Sequence, residues 1–354
     1  MKKLLIFGPA NSPHLLNWAL PLKEMYNDIY EVKILTFHLP ALGMDYKGID
    51  VQYIKPMTGT KLDYFFQLGE VQKLIKAYAP DVIHAHYASS YGFISTTISY
   101  QCKKILTVWG SDVLHARKNF FLKALIDRSL KKFAWINVPS LELSAILQKI
   151  GIPKSKILVF QYGIDLEVFD QYKEPKGDSG EIVILSSRNW ASLYNINLII
   201  DGFKIAYEKN KKLTLRLVGS GSDEESQLIQ NKVSGHVGIQ IIGKLPRVEL
   251  IKELWKAHMF ISIPVSDGMS LSVLEALYAE CFPVLSNIPP NIEILTGGEG
   301  LLVKSFSSEE VGATILKAAS SYNTSDLSKN KFIVSDKANY KKNIATIESK
   351  YRES

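Results

Sequence analysis

The stretch ISIPVSDGMSLSVLEAL, residues 261–277, decides how the second half of the chain is interpreted. It begins as an apolar run with β-branched residues, typical of a buried strand, and a polar Ser-Asp-Gly loop interrupts it. Ser270 could then cap a helix over residues 271–280. Amides at a helix start attract anions, and Asp267 and Glu275 could accept hydrogen bonds from sugar hydroxyls. The stretch therefore suits a ligand with phosphates and a ribose, although an ordinary βα junction explains the spacing as well.

Length and composition indicate a globular protein of two domains. The chain has 354 residues, 46% hydrophobic and 22% charged, which exceeds one comfortable core. Cys102 and Cys281 lie far apart without metal-ligand spacing, which indicates a reducing compartment. The first apolar run is short and passes at once into Gly-Pro-Ala-Asn, so it predicts a strand rather than a signal peptide. With no apolar stretch long enough to span a membrane, we expect a cytoplasmic protein.

Positive charge is concentrated in the first half. Residues 1–175 contain 21 Lys and Arg against 15 Asp and Glu, an excess of 6 within the total net charge of +7. From Arg117 to Lys132, basic residues alternate with Phe and Leu, as in a helix lying on an anionic bilayer at the inner membrane face. A helix packed on a sheet, with solvated lysines, is the alternative. Because the excess is mild and no nucleic-acid motif is recognised, we expect no nucleic-acid partner.

Strand-like runs alternate with amphipathic segments of helical length, which predicts parallel sheets covered on both faces. Predicted strands are residues 3–7, 30–36, 51–54, 82–84, 104–108, 135–138, 157–160, 181–186, 213–218, 239–242, 259–263 and 283–285. Predicted helices are residues 15–26, 62–79, 91–100, 120–132, 141–150, 197–209, 224–232, 247–257 and 271–280. We expect two Rossmann-like α/β domains, residues 1–170 and 181–325, facing across a central cleft. The linker is residues 171–180, and a helical tail, residues 326–354, could pack back on the first domain.

Three loops follow predicted strands of the first half, where parallel sheets place ligands: residues 8–14, 84–90 and 109–112. The first loop lacks the GxGxxG spacing of a dinucleotide site, which argues against a dehydrogenase. With the strand ending at His84, we expect His84 and His86 to point to opposite faces. They could be metal ligands, substrate contacts, or one core and one loop histidine, and no third ligand is in view.

Trp109 and Asp112 offer an aromatic face beside a carboxylate at a strand end, an arrangement common in sugar sites. A core tryptophan with a helix-capping aspartate explains the pair as well. In the second half, strand ends carry Arg188, Gly219-Ser-Gly221 and Gly243-Lys244 beside the loop of Asp267. A fixed cation could offset the charge of a diphosphate, and small residues let backbone approach a ligand.

Together these residues resemble the GT-B glycosyltransferases, and within them the large retaining family 4. The resemblance covers almost the whole chain, and its second-half motifs lie at residues 163–169, 188, 218–221, 243–245, 267–276 and 300–303. The family's hallmark is two acids separated by seven residues, the spacing of Asp267 and Glu275. The first acid is usually Glu, and Leu193 and Tyr194 stand where a lysine is common. Trp109 stands where a histidine is frequent.

Residues 12–14 (SPH), 84–90 (HAHYASS) and 109–112 (WGSD) resemble a branch of family 4 associated with bacterial surface polysaccharides. The resemblance implies retaining transfer of a hexosyl or N-acetylhexosaminyl group from a nucleotide-diphosphate sugar, with a UDP-sugar as the expected donor. The acceptor would be a glycan hydroxyl, either lipid-linked or on a soluble oligosaccharide. No metal and no other cofactor is implied, and the sequence has no Asp-x-Asp motif. A sugar-nucleotide epimerase and an inactive nucleotide-sugar-binding protein are the alternatives.

The resemblance also assigns roles residue by residue. Catalytic roles fall on Arg188, Asp267, Trp109 and Asp112, with Asp267 holding donor-sugar hydroxyls and Arg188 neutralising the departing diphosphate. The donor-binding residues, with Glu275 on the ribose, are Glu275, Gly268, Met269, Ser270, Leu271, Gly219, Gly243, Lys244, Leu245 and Asn195. The acceptor-binding residues are Asn11, Ser12, His14, His84, His86, Tyr87 and Ser89.

Overall fold

The chain forms two compact units. The computed structural model describes residues 1–60, 63–114, 120–177 and 180–353, with the side chains of residues 120–122 outside that description. Unit 1 comprises Met1–Tyr162 and Lys341–Ser354, and unit 2 comprises Gly163–Tyr340. The predicted first domain ended at residue 170, and the predicted tail began at residue 326. In the structure the chain leaves unit 2 and rejoins unit 1 at residue 341.

Unit 1 is built on a seven-stranded parallel sheet of order β3-β2-β1-β4-β5-β6-β7. Its strands are β1 (Lys2–Phe7), β2 (Tyr30–Thr36), β3 (Asp50–Tyr53), β4 (Val82–His86), β5 (Lys103–Thr107), β6 (Trp135–Val138) and β7 (Ile157–Val159). Its helices are α1 (Pro13–Tyr26), α2 (Asp63–Phe66), α3 (Leu68–Tyr78), α4 (Phe93–Thr97), α5 (Ser111–Leu114), α6 (Phe120–Leu130) and α7 (Leu141–Lys149). A π-helical turn, Ala88–Gly92, precedes α4, and a 3₁₀ turn, Lys154–Lys156, precedes β7.

Unit 2 is built on a six-stranded parallel sheet of order β10-β9-β8-β11-β12-β13. Its strands are β8 (Ile182–Ser186), β9 (Leu213–Val218), β10 (Ile239–Gly243), β11 (Met259–Ser262), β12 (Phe282–Ser286) and β13 (Leu301–Val303). Its helices are α8 (Leu166–Gln171), α9 (Ile196–Lys209), α10 (Asp223–Val233), α11 (Arg247–Lys256), α12 (Leu271–Tyr278), α13 (Pro289–Leu295), α14 (Ser308–Ser321) and α15 (Ser328–Lys337), with a 3₁₀ turn at Ser192–Tyr194. The final helix, α16 (Tyr340–Arg352), packs in unit 1. Two Rossmann-like units of parallel strands are thus confirmed.

Three predicted helices differ from the structure. The helix predicted over residues 62–79 is interrupted at Gln67, which separates α2 from α3; residue 62 lies outside the described residues. In place of a helix over residues 91–100, the chain forms the π-helical turn and α4, and it becomes extended at Ile98. The helix predicted to reach residue 280 ends at Tyr278, and Glu280 has a positive φ of 55°. Helical periodicity alone does not show where a helix stops, because tertiary contacts decide the end.

The expectation for the two histidines of β4 was wrong. The strand continues through His86, so His84 and His86, two residues apart, share one face of the sheet. Their ring centroids are 4.2 Å apart, and both side chains are fully buried. His84 Nε2 pairs with Thr107 Oγ1 at 2.8 Å, and His84 Nδ1 pairs with the Tyr351 hydroxyl at 2.6 Å. His84 therefore ties α16 to the sheet, and neither histidine is exposed to contact an acceptor.

Acid should weaken unit 1 through this histidine pair. Burial lowers the pKa of His84 to about 3 and that of His86 well below its usual value. A lowered folded-state pKa means that the unfolded chain binds more protons, so the stability is present above about pH 6.5 and is lost as pH falls toward 3. We expect the free energy of unfolding, from urea titrations between pH 6 and 4, to fall by about 1.4 kcal/mol per pH unit for each histidine. A His84→Gln variant should show a shallower slope, and an unchanged slope would contradict this assignment.

Candidate functional site

The loop between β11 and α12 is closed by side chains rather than by a helix cap. Ser270 occupies the N-cap position of α12, but its hydroxyl makes no cap hydrogen bond. Instead, Arg188 Nη1 donates to Ser270 Oγ and, at 2.8 Å, to Ser272 Oγ. The expectation that Ser270 caps the helix is therefore corrected. The Ser270 hydroxyl accepts a hydrogen bond from Arg188 instead, so it does not cap the first amides of α12.

Arg188 and Asp267 form a direct ion pair. Arg188 follows β8, and its Nη2 donates to Asp267 Oδ2 at 2.6 Å. The Arg188 side chain is 9% exposed, and its guanidinium lies over the Tyr194 ring, 4.2 Å from the centroid. The predicted cation, Arg188, and the predicted sugar-binding acid, Asp267, are thus in direct contact. Asp267, Ser270 and Ser272 together hold the Arg188 guanidinium in one orientation. We call these four residues the Arg188 cluster.

Gly219 has a packing reason to be glycine. Its φ is +143°, and a Cβ there would lie 2.3 Å from the Arg188 carbonyl oxygen. Beside it, Trp190 N donates to Ser220 O at 3.0 Å, which joins the loop after β8 to the loop after β9. Gly219 therefore lets the backbone carrying Arg188 approach, a contact that any side chain would push apart.

Glu275 is buried in α12 and held by Arg247, which is not among the predicted site residues. Glu275 is 5% exposed, and Arg247 Nη1 donates to its Oε1 at 2.5 Å. Burial raises the pKa of Glu275, while Arg247 first and Arg188 second pull that pKa back. Arg247 is half exposed, begins α11 and lies over the Phe169 ring at 5.3 Å. The sequence did hold a signal for Arg247: it is a basic residue at the start of a predicted helix, three residues after Lys244.

The other predicted donor residues surround this site in different ways. Asn195 has a positive φ of 54°, and its Nδ2 donates to Ile263 O at 2.9 Å, so it braces the loop after β11. Gly268 N donates to Asp267 Oδ1 at 2.9 Å. Gly243 ends β10 with a φ of +79° and open space on its Cβ side. The side chains of Met269, Leu271 and Leu245 are partly buried, and Lys244 is exposed.

Unit 1 contains a cavity of about 520 Å³ at the carboxyl ends of its strands. Its lining is Pro9, Asn11, Ser12, His38, Tyr64, Phe65, Tyr87, Ser89, Ser90, Tyr91, Phe93, Trp109, Leu125 and Ile126. Five predicted residues are among them: Asn11, Ser12, Tyr87, Ser89 and Trp109. None of the described lining residues is Asp, Glu, Lys or Arg. We call this space the aromatic cavity, and its chemistry suits an uncharged ligand.

The backbone around the aromatic cavity is strained. Tyr87 has a φ of +77°, which a residue with a side chain rarely adopts, and the π-helical turn starts directly after it. Such features are frequent at functional sites. Trp109 Nε1 is buried and has no hydrogen-bond partner among the described residues. A ligand oxygen could accept a hydrogen bond from this indole.

Asp112 holds the walls of the cavity rather than a ligand. It is 1% exposed; its Oδ2 accepts from Ala88 N at 2.6 Å, and its Oδ1 accepts from Trp109 N at 3.1 Å and Gly110 N at 2.8 Å. Burial raises the pKa of Asp112 to about 6, while these amides oppose the rise. The prediction that Asp112 takes sugar hydroxyls is therefore corrected to a positioning role. His14 packs on Trp109, with ring centroids 5.1 Å apart, and its Nδ1 lies 3.5 Å from the Tyr162 hydroxyl.

Replacing Asp112 by Ala should destabilise the protein by about 3 kcal/mol, because three buried amides lose their acceptor. Asp112→Asn retains one carbonyl oxygen and should lie between wild type and the Ala variant. Urea unfolding at pH 7 measures the change, and Asp50→Ala, at an exposed carboxylate, serves as the control. A loss under 1 kcal/mol for Asp112→Ala would show that the loops do not depend on this carboxylate.

Sequence reasoning missed most of the apolar half of the cavity. His38, Tyr64, Phe65, Phe93 and Leu125 come from four segments that sequence periodicity treats as separate. The signal was weak: aromatic residues in predicted helices pack in cores far more often than they line ligand sites. Only the fold brings them to one wall.

Two predicted segments are described only in part by the structure. Residues 117–119 of the basic segment from Arg117 to Lys132 lie outside the described part of the chain, as do the side chains of residues 120–122, and so do residues 178–179 of the linker. Within the described residues, no group of three His, Cys, Asp or Glu side chains could hold a metal ion. The helices described there include none that is long and apolar enough to cross a membrane.

Two Rossmann-like units, with candidate ligand sites at their strand ends, are the architecture of the GT-B class. Comparison with protein families agrees with this class for both units. Residues 3–139 match the family model described as "Glycosyl transferase 4-like", and residues 168–338 match "Glycosyl transferases group 1". The two matches follow one another and together span most of the chain. The chain belongs to the GT-B glycosyltransferases and is a transferase.

Solved structures share the fold at low sequence identity. Alr3699/HepE from Anabaena, in complex with UDP, is 14% identical with a TM-score of 0.79, covering 99% of both chains. The lipopolysaccharide outer core galactosyltransferase WaaB, in its apo form, is 14% identical with a TM-score of 0.74, covering 98% of this chain and 99% of that one. A putative UDP-N-acetylglucosamine 2-epimerase from Listeria monocytogenes is 14% identical with a TM-score of 0.68, covering 100% and 98%.

Proposed function

We propose that this enzyme transfers a sugar from a nucleotide-diphosphate donor, with UDP as the nucleotide, to a hydroxyl of a glycan acceptor. The observation that carries the proposal is the Arg188 cluster, a guanidinium fixed beside the uncapped start of α12. The UDP complex of the similarly folded Alr3699/HepE supports the choice of nucleotide.

The difficult step is departure of an anionic diphosphate. In the proposed mechanism, the diphosphate lies against Arg188 and the first amides of α12, which take up charge as the bond to the sugar breaks. Because the guanidinium is already oriented by Ser272 and Tyr194, little reorganisation accompanies the reaction. We propose that these fixed groups serve in place of a metal ion. Retention of anomeric configuration is part of the proposal and follows from the family resemblance.

Asp267 has two tasks in this proposal. In the structure it forms an ion pair with Arg188, with 2.6 Å between Arg188 Nη2 and Asp267 Oδ2. When the donor binds, the diphosphate becomes the competing partner for the guanidinium, and the carboxylate can turn to accept hydrogen bonds from sugar hydroxyls. At 21% side-chain exposure, Asp267 is reachable by a ligand. The ion pair thus holds both side chains in place until the donor replaces it.

Glu275 is proposed to bind the ribose. Arg247 holds its Oε1 and opposes the rise in pKa that burial causes, which favours the charged form as a hydrogen-bond acceptor. Gly243, with open space beside its Cα, would let the base approach the end of β10. These positions support a nucleoside bound along the carboxyl ends of the unit 2 strands.

The aromatic cavity is proposed to bind the acceptor. Trp109 and Tyr87 offer ring faces to sugar C–H groups, while Asn11, Ser12 and Ser89 offer polar atoms. The absence of charge among the described lining residues favours a neutral portion of the acceptor. Its apolar side, which includes the 47% exposed Phe65 and the 45% exposed Leu125, suits the lipid of a lipid-linked glycan.

We further propose that the acceptor belongs to bacterial surface polysaccharide synthesis at the cytoplasmic face of the inner membrane. Phe66, beside the cavity lining, is 60% exposed, and α6 carries exposed Lys123 and Arg128. Exposed apolar and basic side chains together favour peripheral contact with an anionic bilayer. The fold shared with WaaB is consistent with this pathway.

A thermal-shift screen tests the donor first. UDP, GDP, ADP and CMP are added separately, followed by the sugar nucleotides of whichever stabilises the protein. We expect UDP alone to raise the melting temperature, by roughly 3–5 °C at 100 Kd. Stabilisation without transfer to any acceptor would favour a binding protein, and turnover of the sugar nucleotide with no acceptor present would favour an epimerase.

A further inference from the structure

Unit 1 has a second concave surface, at the edge of the sheet opposite the aromatic cavity. There the amino ends of β5, β6 and β7 lie side by side. The concavity has a volume of about 700 Å³. Its lining is Thr96, Ile98, Ser99, Tyr100, Gln101, Cys102, Lys103, Lys104, Lys132, Phe133, Ala134 and Lys156. We call it the lysine concavity.

Four lysines from three points of the chain line the lysine concavity, and the consecutive Lys103 and Lys104 lie on opposite faces of the sheet. Lys103 and Lys104 open β5, Lys132 precedes β6, and Lys156 precedes β7. Among the described residues of the lining there is no Asp or Glu to balance them. Because β5, β6 and β7 are parallel, each of them begins at this same edge of the sheet. Lysines at or just before these strand starts, within residues 103–156, therefore lie near one another.

Two of these ammonium groups, those of Lys104 and Lys132, repel each other. Burial lowers the pKa of Lys104, and Lys132 lowers it further, although Cys102 opposes the shift. Burial also lowers the pKa of Lys103; Glu353 opposes that change and Lys2 adds to it. A bound anion would offset the repulsion between Lys104 and Lys132 and the lost hydration of Lys104.

Two of the lysines are held in place by backbone. Lys132 Nζ donates to Thr96 O at 3.1 Å, and Lys103 Nζ donates to Lys350 O at 3.1 Å and Tyr351 O at 3.3 Å, at the end of α16. An ammonium has three donors, so Lys132 retains capacity for a ligand, while Lys103 ties the edge of the sheet to α16. Ser99, Gln101 and Tyr100 add uncharged polar groups to the same wall.

We propose that the lysine concavity is a binding site for a phosphate-bearing anion, separate from the donor and acceptor sites. Lysine binds phosphate as a point charge and tolerates varied geometry, which suits a phosphate monoester or diphosphate group. The group could belong to a soluble metabolite or to an anionic lipid headgroup. The site also accounts for part of the positive charge excess of the first half, which the transfer reaction leaves unused.

Lysine acetylation, read residue by residue by mass spectrometry, tests the proposal on the whole protein. The reagent is applied at pH 8 with and without inorganic pyrophosphate, and separately with vesicles of phosphatidylcholine alone or with 30% phosphatidylglycerol. Lys104, Lys132 and Lys156 should react at least threefold more slowly when the anion is bound. Lys55, Lys76 and Lys149, exposed and outside the concavity, are the matched control lysines. A residue-specific readout also separates this site from any pyrophosphate bound at Arg188.

The outcomes are distinct. Protection of the three lysines by pyrophosphate supports a soluble phosphate ligand, and protection only by anionic vesicles supports a lipid headgroup. No protection by either probe, or equal protection of the control lysines, overturns the proposal. In a binding assay with the protecting probe, Lys156→Gln should weaken affinity about threefold while Lys149→Gln does not. Both lysines are exposed, so neither change threatens folding.

Discussion

An Arg188→Gln variant is expected to lower kcat for sugar transfer by about 100- to 1000-fold, the cost typical of removing one preorganised donor from a charge-stabilising site. In the structure this side chain is 9% exposed and engages Asp267, Ser270 and Ser272. Its charge is needed mainly as the diphosphate leaves, so kcat should fall more than KM rises. The rate is measured as release of nucleoside diphosphate with the donor identified by thermal shift.

Two further variants separate charge from general damage. Arg188→Lys retains the charge but loses the fork that reaches Asp267 and Ser272 together, so its rate should lie between those of wild type and Arg188→Gln. Arg216→Gln removes an arginine of the same unit, which pairs with Glu253 at 2.8 Å outside the predicted site. If Arg216→Gln and Arg188→Gln lowered kcat equally, the proposed role of Arg188 would be untenable.

The second large effect is expected on donor binding. Glu275→Ala should weaken the affinity for the nucleoside diphosphate by about 10- to 100-fold, since a hydrogen bond to a charged group is worth roughly 1.5–3 kcal/mol. Isothermal titration calorimetry gives the Kd directly. In the thermal-shift screen, the same variant should lose most of the stabilisation that the nucleotide confers.

The matched control is Glu253→Ala, which removes another largely buried carboxylate paired with an arginine. It should leave the Kd within about twofold of wild type, a change below the effect of one hydrogen bond. Arg247→Gln tests whether Glu275 acts only by holding Arg247. If the carboxylate itself binds the ribose, Glu275→Ala loses more affinity than Arg247→Gln. Equal nucleotide-induced stabilisation of wild type and Glu275→Ala would remove the ribose role.

Patterns along the chain were enough to predict the architecture. Period-two and helical runs located the seven strands of the first sheet and five of the six strands of the second, missing β13, and their alternation with helical runs implied parallel pairing. Local turn chemistry also marked the strand ends that carry Arg188, Gly219 and Asp267. These inferences succeed because backbone hydrogen bonding and burial of one face impose short-range periods on a sequence.

The same reasoning failed where a side chain's partner lies far along the chain. Asp112 looked like a sugar ligand, but its amide partners at Ala88, Trp109 and Gly110 consume both oxygens. Arg247 was overlooked because nothing near it in sequence shows that Glu275 lies 2.5 Å away. In both cases the sequence shows that a charged side chain is present. Whether that side chain is free to bind a ligand depends on which residues pack against it.

The sequence by itself therefore determined the two parallel-sheet units and the seven-residue separation of Asp267 and Glu275, since both follow from local periodicity and spacing. Only the tertiary structure decided which charges are paired: Arg188 with Asp267, and Glu275 with Arg247. It also decided which surfaces are concave, because the aromatic cavity and the lysine concavity each collect side chains from several segments. The physical reason is that the sheet order, which places segments distant in sequence side by side, results from the packing of the whole unit.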